Sequence, residues 1–173
     1  MLAAVLALGG TPGLVSPTRA DTNEVCGSFS PSDFKFVVEA LRGGSMEVRL
    51  GEMAAHNASS ASVQEFGQRM VTDHQKAYDQ LTQLAAQKGA VIPKPMPKKE
   101  ENVETKLGRL NGTRFDQAYM KDMLHDHKKD VKTFEKEAAS ADDKELRDWV
   151  SNTLPTLRQH LSLAETTLNA LPK

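Results

Sequence analysis

The sequence contains little cysteine, few aromatic residues and almost no net charge. Cys26 is the single cysteine among 173 residues, so no intramolecular disulfide can stabilise the fold. A formal net charge of -1 argues against a nucleic-acid-binding surface, because such a surface needs an excess of lysine and arginine. The length and the hydrophobic fraction of 39% are typical of one soluble domain with a real core.

Sequence motifs of catalysis are also missing. The chain has no glycine-rich loop of the kind that cradles phosphate, and no serine or threonine lies in a strand-turn-helix nucleophile elbow. No segment alternates between apolar and polar residues as β-strands do. We therefore predict an all-α protein and identify no catalytic residues.

The first 20 residues differ in composition from the rest of the chain. An apolar run, Leu2–Leu8, is followed by glycine and proline and then by Thr18–Ala20. This order is typical of a secretory signal peptide cleaved after Ala20, and the run is too short to span a membrane. We predict an exported protein, periplasmic or secreted, in which residues 21–31 form a flexible arm that carries Cys26 as a free thiol, with an intermolecular disulfide as the alternative.

Four long amphipathic patterns follow, with apolar residues at every third or fourth position. They predict helices at about 32–58, 62–88, 113–138 and 142–171, with a short extra helix at about 101–110. Asp116 is expected to cap the first turn of the third long helix. The prolines between residues 90 and 99 exclude a helix there. The predicted fold is a four-helix bundle in a single domain, residues 32–171, with a long Pro-rich connection between the second and third helices.

Three histidines occupy core positions in these patterns. His74, His127 and His160 each replace an apolar residue on a different predicted helix, so a bundle would direct all three to one interior. An imidazole removed from water needs other partners, and a shared cation would satisfy several rings at once. His56 and His125 do not fit the pattern, since His125 lies about 200° around the helix from His127. The spacing therefore predicts a metal site.

Glu47 completes a candidate set of four ligands, one from each long helix. Three imidazoles and one carboxylate suit a divalent transition metal, zinc or copper(II), with Zn–N distances of about 2.0–2.1 Å. Glu47 has alternatives, because it could pair with a histidinium, pair with Arg49 or face solvent. Nearby, the Gly43-Gly44 pair predicts close helix packing or a local bend. Methionines at core spacing are interpreted as packing, with soft copper(I) ligation as the alternative: Met46, Met53, Met70, Met120 and Met123.

Several segments resemble the bacterial domain-of-unknown-function family 4142. The matching segments are Glu47–Ala54, Met70–His74, Phe115–Met120, His125–His127 and Leu154–His160. The resemblance covers about residues 32–171. It implies an exported protein with a ferritin-like four-helix bundle, of a kind often labelled an outer-membrane protein, and it implies no activity.

The sequence departs from the ferritin-like oxidases in one respect. Those enzymes bind two irons through Glu-x-x-His motifs, and no such motif occurs in this chain, so a di-iron centre is not expected. The leading hypothesis is an exported bundle that binds a divalent metal in envelope metal handling or stress protection. The alternative is a non-catalytic envelope interaction or structural protein with a buried His/Asp network, to which Asp73, Asp116 and Asp126 contribute. A metal-dependent enzyme would require an open coordination position and a cleft.

Overall fold

The computed structural model describes residues 25–93 and 101–172, and every regular element in those ranges is an α-helix. The signal peptide predicted at residues 1–20 lies outside them, as does the Pro-rich stretch 94–100. The helices, in chain order, are α1 Pro31–Asn57, α2 Ala61–Gln87, α3 Glu101–Leu107, α4 Gly112–Ser140 and α5 Lys144–Ala170. The four long helices and the short extra helix confirm the predicted all-α fold. None of these helices is long and apolar enough to span a membrane.

The long helices form two hairpins that pack into a four-helix bundle. α1 pairs with α2, and α4 pairs with α5, each through a short connection. The hairpins meet where α2 packs against α5 and α1 packs against α4. Pro155 lies inside α5, which continues through it to Ala170.

Each hairpin loop is held by an aspartate from the other hairpin. The carboxylate of Asp33 in α1 accepts hydrogen bonds from the backbone N–H groups of Asp142 (3.2 Å) and Asp143 (2.8 Å). The carboxylate of Asp116 in α4 accepts hydrogen bonds from the backbone N–H groups of Ser59 (3.1 Å) and Ser60 (3.0 Å). The sequence prediction for Asp116 was therefore wrong, because its carboxylate binds the loop between α1 and α2 and does not cap its own helix.

Two glycines allow α1 and α2 to approach closely. A Cβ atom at Gly51 would lie 2.6 Å from the carbonyl oxygen of Gly67, and one at Gly67 would lie 2.6 Å from the Cβ of Ala54. Real Cβ atoms do not approach other atoms this closely. By contrast, a Cβ at Gly43 or Gly44 would meet no atom within 4 Å. The close packing expected at the Gly43-Gly44 pair is therefore found about two turns later in α1, at Gly51.

The segment before α1 packs against the end of α2. Phe29 is buried in the core, Cys26 is buried as a free thiol, and the N–H of Ser28 donates to the carbonyl of Lys88. Gly27 has a φ of 60°, and a Cβ there would collide with the Lys88 carbonyl. These residues are packed, in contrast with the expectation of an arm outside the bundle, because Phe29 adds apolar surface to the core.

The apolar core is divided into two clusters. One surrounds Phe36, Val37 and Leu146, near the loop between α4 and α5, and the other surrounds Leu50 and Phe115, near the loop between α1 and α2. All five core-spaced methionines belong to the second cluster or pack against it, which confirms that they serve as packing residues. His74, His127 and His160 are buried as well, and they belong to neither cluster.

Candidate metal centre

Three imidazole rings meet in the interior of the bundle. His74 comes from α2, His127 from α4 and His160 from α5, and their exposed fractions are 7%, 0% and 0%. The ring centroids are 5.6 Å apart for His74 and His127 and 5.3 Å apart for each of the other two pairs. One nitrogen from each ring lies within 4.8 Å of the others. The predicted convergence of the three rings is therefore present in the fold.

Two of the rings are oriented by hydrogen bonds on their outer nitrogens. Nδ1 of His127 lies 2.9 Å from the carbonyl oxygen of Met123, one turn earlier in α4. Since a carbonyl only accepts hydrogen bonds, Nδ1 carries the proton and Nε2 keeps its lone pair. Nε2 of His160 lies 2.9 Å from Oδ2 of Asp73, so Nε2 donates and Nδ1 keeps its lone pair. A carbonyl or carboxylate that fixes a ligating histidine in this way is typical of metal sites.

One nitrogen of each ring has no hydrogen-bond partner among the described residues. These atoms are Nε2 of His74, Nε2 of His127 and Nδ1 of His160, and each is buried. A buried polar atom without a partner costs about 1–3 kcal/mol of stability. Three such atoms within one small volume are what a tridentate metal site requires.

The electrostatic environment keeps the three rings neutral. Burial, and after it the neighbouring His160, lower the pKa of His127 to about 4. Burial, followed by the neighbouring His127 and His160, lowers the pKa of His74 well below its usual value. Burial also lowers the pKa of His160, although its hydrogen bond with Asp73 opposes the change. Neutral imidazole is the form that binds a metal, so the rings are in the ligating state at neutral pH.

Glu47 lies in the same core but is not a member of the three-histidine group. It is buried in α1 with an exposed fraction of 2%. Burial, and after it the charge of Glu47, raise the pKa of Tyr119 well above its usual value. The fourth ligand proposed from the sequence is therefore buried in the core outside the three-histidine group, and its role as a ligand stays a prediction.

The three aspartates named as network partners have different positions. Asp73 bonds to His160 as expected, whereas Asp116 bonds to the loop between α1 and α2. Asp126 is half-buried in α4. The remaining two histidines, His56 and His125, are exposed, in agreement with their exclusion from the site.

Sequence reasoning missed a cleft that borders the site. It has a volume of about 120 Å³, and His74 forms part of its wall. Aromatic and aliphatic side chains form most of the rest, together with the Gly43-Gly44 pair. The Gly43-Gly44 pair was the only sequence signal for this cleft. Because the pair was interpreted as a site of close helix packing or a bend, the cleft was not predicted.

The chain is similar in sequence to a known protein family. The sequence matches the family Domain of unknown function (DUF4142) over residues 19–167, which is most of the chain. The protein belongs to the DUF4142 family. Members of that family are defined by sequence, and the family description assigns no activity. No curated protein matches the chain.

A solved structure shares the fold of this DUF4142 protein. The crystal structure of a DUF305 fragment from Deinococcus radiodurans superimposes with a TM-score of 0.74, covering 83% of this chain and 99% of that one. The two sequences are 14% identical, so the likeness concerns the fold alone. The shared fold is a helical bundle, as the sequence predicted, and the metal hypothesis depends on the side chains described above.

Proposed function

We propose that this DUF4142 protein binds one divalent transition metal, zinc or copper, through His74, His127 and His160. The observation that carries the proposal is the convergence of three buried rings. Each ring offers one nitrogen within 4.8 Å of the others, and each has one nitrogen without a hydrogen-bond partner among the described residues. Imidazole nitrogen suits both metals. A bound ion would give each nitrogen a partner that the described residues do not supply.

Two further contacts support metal binding over chance burial. The hydrogen bonds from His127 to Met123 and from His160 to Asp73 leave the inner nitrogen of each ring as an acceptor. Asp73 also places a negative charge beside the site, which favours a cation and increases the basicity of His160. The apolar clusters on both sides are complete without an ion, so the bundle is expected to fold in the absence of metal.

Metal content of the untagged protein tests the proposal. We expect about one equivalent of zinc or copper after loading and dialysis, and less than about one-tenth equivalent in His127→Leu, because two remaining imidazoles bind weakly. His125→Leu is the matched control, since His125 is exposed on the same helix two residues away. Circular dichroism of each variant verifies that the bundle has formed.

Two results would contradict the proposal or its assignment of ligands. If the wild-type protein retains no transition metal, and if added zinc or copper does not raise its melting temperature, the three histidines are not a metal site. Equal metal content in His127→Leu and His125→Leu would contradict the assignment of the ligands.

The alternative function is a structural or interaction protein with a buried polar network. The hydrogen bond between His160 and Asp73 favours it, because it satisfies one ring without a metal. This alternative predicts that His74→Leu changes stability and leaves metal content unchanged. The same elemental analysis therefore separates the two functions.

We further propose that the protein is exported and acts in envelope metal handling or stress protection. The support is the composition of residues 1–20, which has the order of a signal peptide. Expression of the full chain in a bacterial host, followed by mass spectrometry of the periplasmic and extracellular fractions, tests export. We expect a mature chain that begins at Asp21; an intact amino terminus found in the cytoplasm would contradict export.

A further inference from the structure

The cleft beside the candidate metal centre is a second structural feature from which a function can be inferred. It is enclosed mainly by apolar and aromatic side chains from all four long helices. Phe36, Tyr78, Phe134 and Trp149 are the aromatic members of its wall, and His74 is the residue that it shares with the candidate metal centre. A ligand in the cleft and an ion in the metal centre would therefore both lie beside His74.

The glycine pair of α1 leaves this cleft open. Glycine inside a helix costs about 0.5–1 kcal/mol relative to alanine, so two adjacent glycines weaken α1. No neighbouring atom lies within 4 Å of a Cβ built at Gly43 or Gly44, so close packing does not explain them. Both residues line the cleft, and side chains there would extend into space that is now empty. The chain thus keeps an opening at the expense of helix stability.

The wall of the cleft indicates which chemistry it accepts. Its charged members are two acids, Glu39 and Asp130, and two bases, Arg42 and Lys129, so no net charge selects an ionic ligand. The volume of about 120 Å³ suits a small ring, since an apolar cavity of about 150 Å³ binds benzene.

We propose that the cleft binds a small, uncharged, single-ring molecule whose nitrogen or oxygen donor reaches the metal at the three histidines. The inference deepens the proposed function, and its metal-dependent part rests on it. Three protein ligands leave the fourth position of a tetrahedral ion for an external ligand, and such open positions distinguish reactive sites from closed structural ones. His74 connects the cleft with the candidate metal centre, because it lines the cleft and contributes a nitrogen to the three-histidine group.

Pyridine is a suitable probe because it is a small, uncharged ring with one donor nitrogen. Trp149 is the single tryptophan of the chain and lines the cleft, so its fluorescence reports occupancy directly. We expect saturable quenching by pyridine in the metal-free protein, and binding at least about tenfold tighter in the zinc-loaded protein. Benzene, which lacks the donor, should bind both forms equally. In copper(II)-loaded protein, pyridine should also shift the visible absorption band.

Gly44→Leu fills the cleft and provides the decisive variant. Leucine is a good helix former, so α1 is expected to remain intact. The variant should retain its zinc and lose at least about tenfold in pyridine affinity in both forms. The control is Ala55→Leu, which adds leucine to an exposed position of the same helix and should change affinity by less than about twofold.

The possible results separate this inference from the metal proposal. Quenching that never saturates, or that is unchanged in Gly44→Leu, would overturn the cleft as a binding site. Pyridine affinity that does not respond to zinc in a zinc-retaining protein would overturn the link between cleft and metal. If the protein takes up no metal but binds pyridine in a Gly44-dependent manner, the metal proposal fails and the cleft remains a binding site.

Discussion

At the scale of single residues, the three histidines are unusual because they combine deep burial with unsatisfied nitrogens. Their positions on apolar stripes could be recognised from the sequence, because a polar residue interrupts a helical period in three separate helices. Their tautomers could not be recognised from the sequence, because they depend on contacts with Met123 and Asp73. The fold places these two residues beside the rings. Glu47 illustrates the same limit, because helical spacing indicates burial and does not say which neighbour the carboxylate meets.

The stability of the metal-free protein should decrease as the histidines take up protons. The pKa of His127 is about 4 in the folded protein and about 6.5 when unfolded, so its contribution is complete above about pH 6.5 and is lost as the pH falls toward 4. For this residue alone we expect the free energy of unfolding to fall by about 2 kcal/mol between about pH 7.5 and about pH 5. His74 and His160, whose pKa values are also lowered, add to the effect in the same direction.

Urea unfolding at the two pH values, with a chelator present, measures this dependence. The variant His127→Leu should show a smaller loss between them, and the exposed His125→Leu should behave as the wild type does. An unfolding free energy that stays constant over this range would mean that the rings are solvated in the folded protein.

At the scale of helices, the positions of glycine decide how closely two helices approach. From the sequence we expected close packing or a bend at Gly43 and Gly44 and assigned no role to Gly51, because helical spacing does not show whether a glycine marks a contact, a bend or a gap. The structure distinguishes them: Gly51 meets the backbone of α2, whereas Gly43 and Gly44 border open space. Helix ends were also less predictable than helix interiors, since the acceptor for the start of α2 is Asp116 from another helix.

Alanine substitutions at two glycines of α1 should have opposite effects. Gly51→Ala places a methyl group against the Gly67 carbonyl, and we expect it to destabilise the protein by about 1–3 kcal/mol. Gly43→Ala meets no atom, and we expect it to stabilise α1 by about 0.5–1 kcal/mol. Urea midpoints at unchanged m-value measure the stability change of each variant. If Gly51→Ala stabilised the protein, α1 and α2 would not be in close contact at this position.

At the scale of the whole molecule, the two hairpins are joined by reciprocal contacts at their loops. Asp33 from the first hairpin holds the second loop, and Asp116 from the second hairpin holds the first. The ion pairs of Lys88 with Asp143 and Glu145 connect the end of α2 to the start of α5. These contacts fix how the hairpins align along their length, and that alignment brings the three histidines to one level.

Removing one of the reciprocal aspartates should therefore destabilise the bundle. Asp116→Ala leaves the backbone N–H groups of Ser59 and Ser60 without their acceptor, and we expect a loss of about 2 kcal/mol. The control Asp148→Ala removes an exposed ion pair with Lys144, which should cost less than about 1 kcal/mol. Thermal or urea unfolding measures the loss of stability in each variant. Equal losses would show that the loop contact contributes no more than a surface ion pair.

The sequence alone determined the helix class, the four long elements and the three polar interruptions in their apolar stripes. These features follow from periodicity, which is a local property of the chain. The tertiary structure decided that the three rings share one layer, that Asp73 and Asp116 serve different partners, and that Gly43 and Gly44 border a cleft. The reason is physical, because distances between helices depend on how all the side chains pack at once, and no local pattern contains that information.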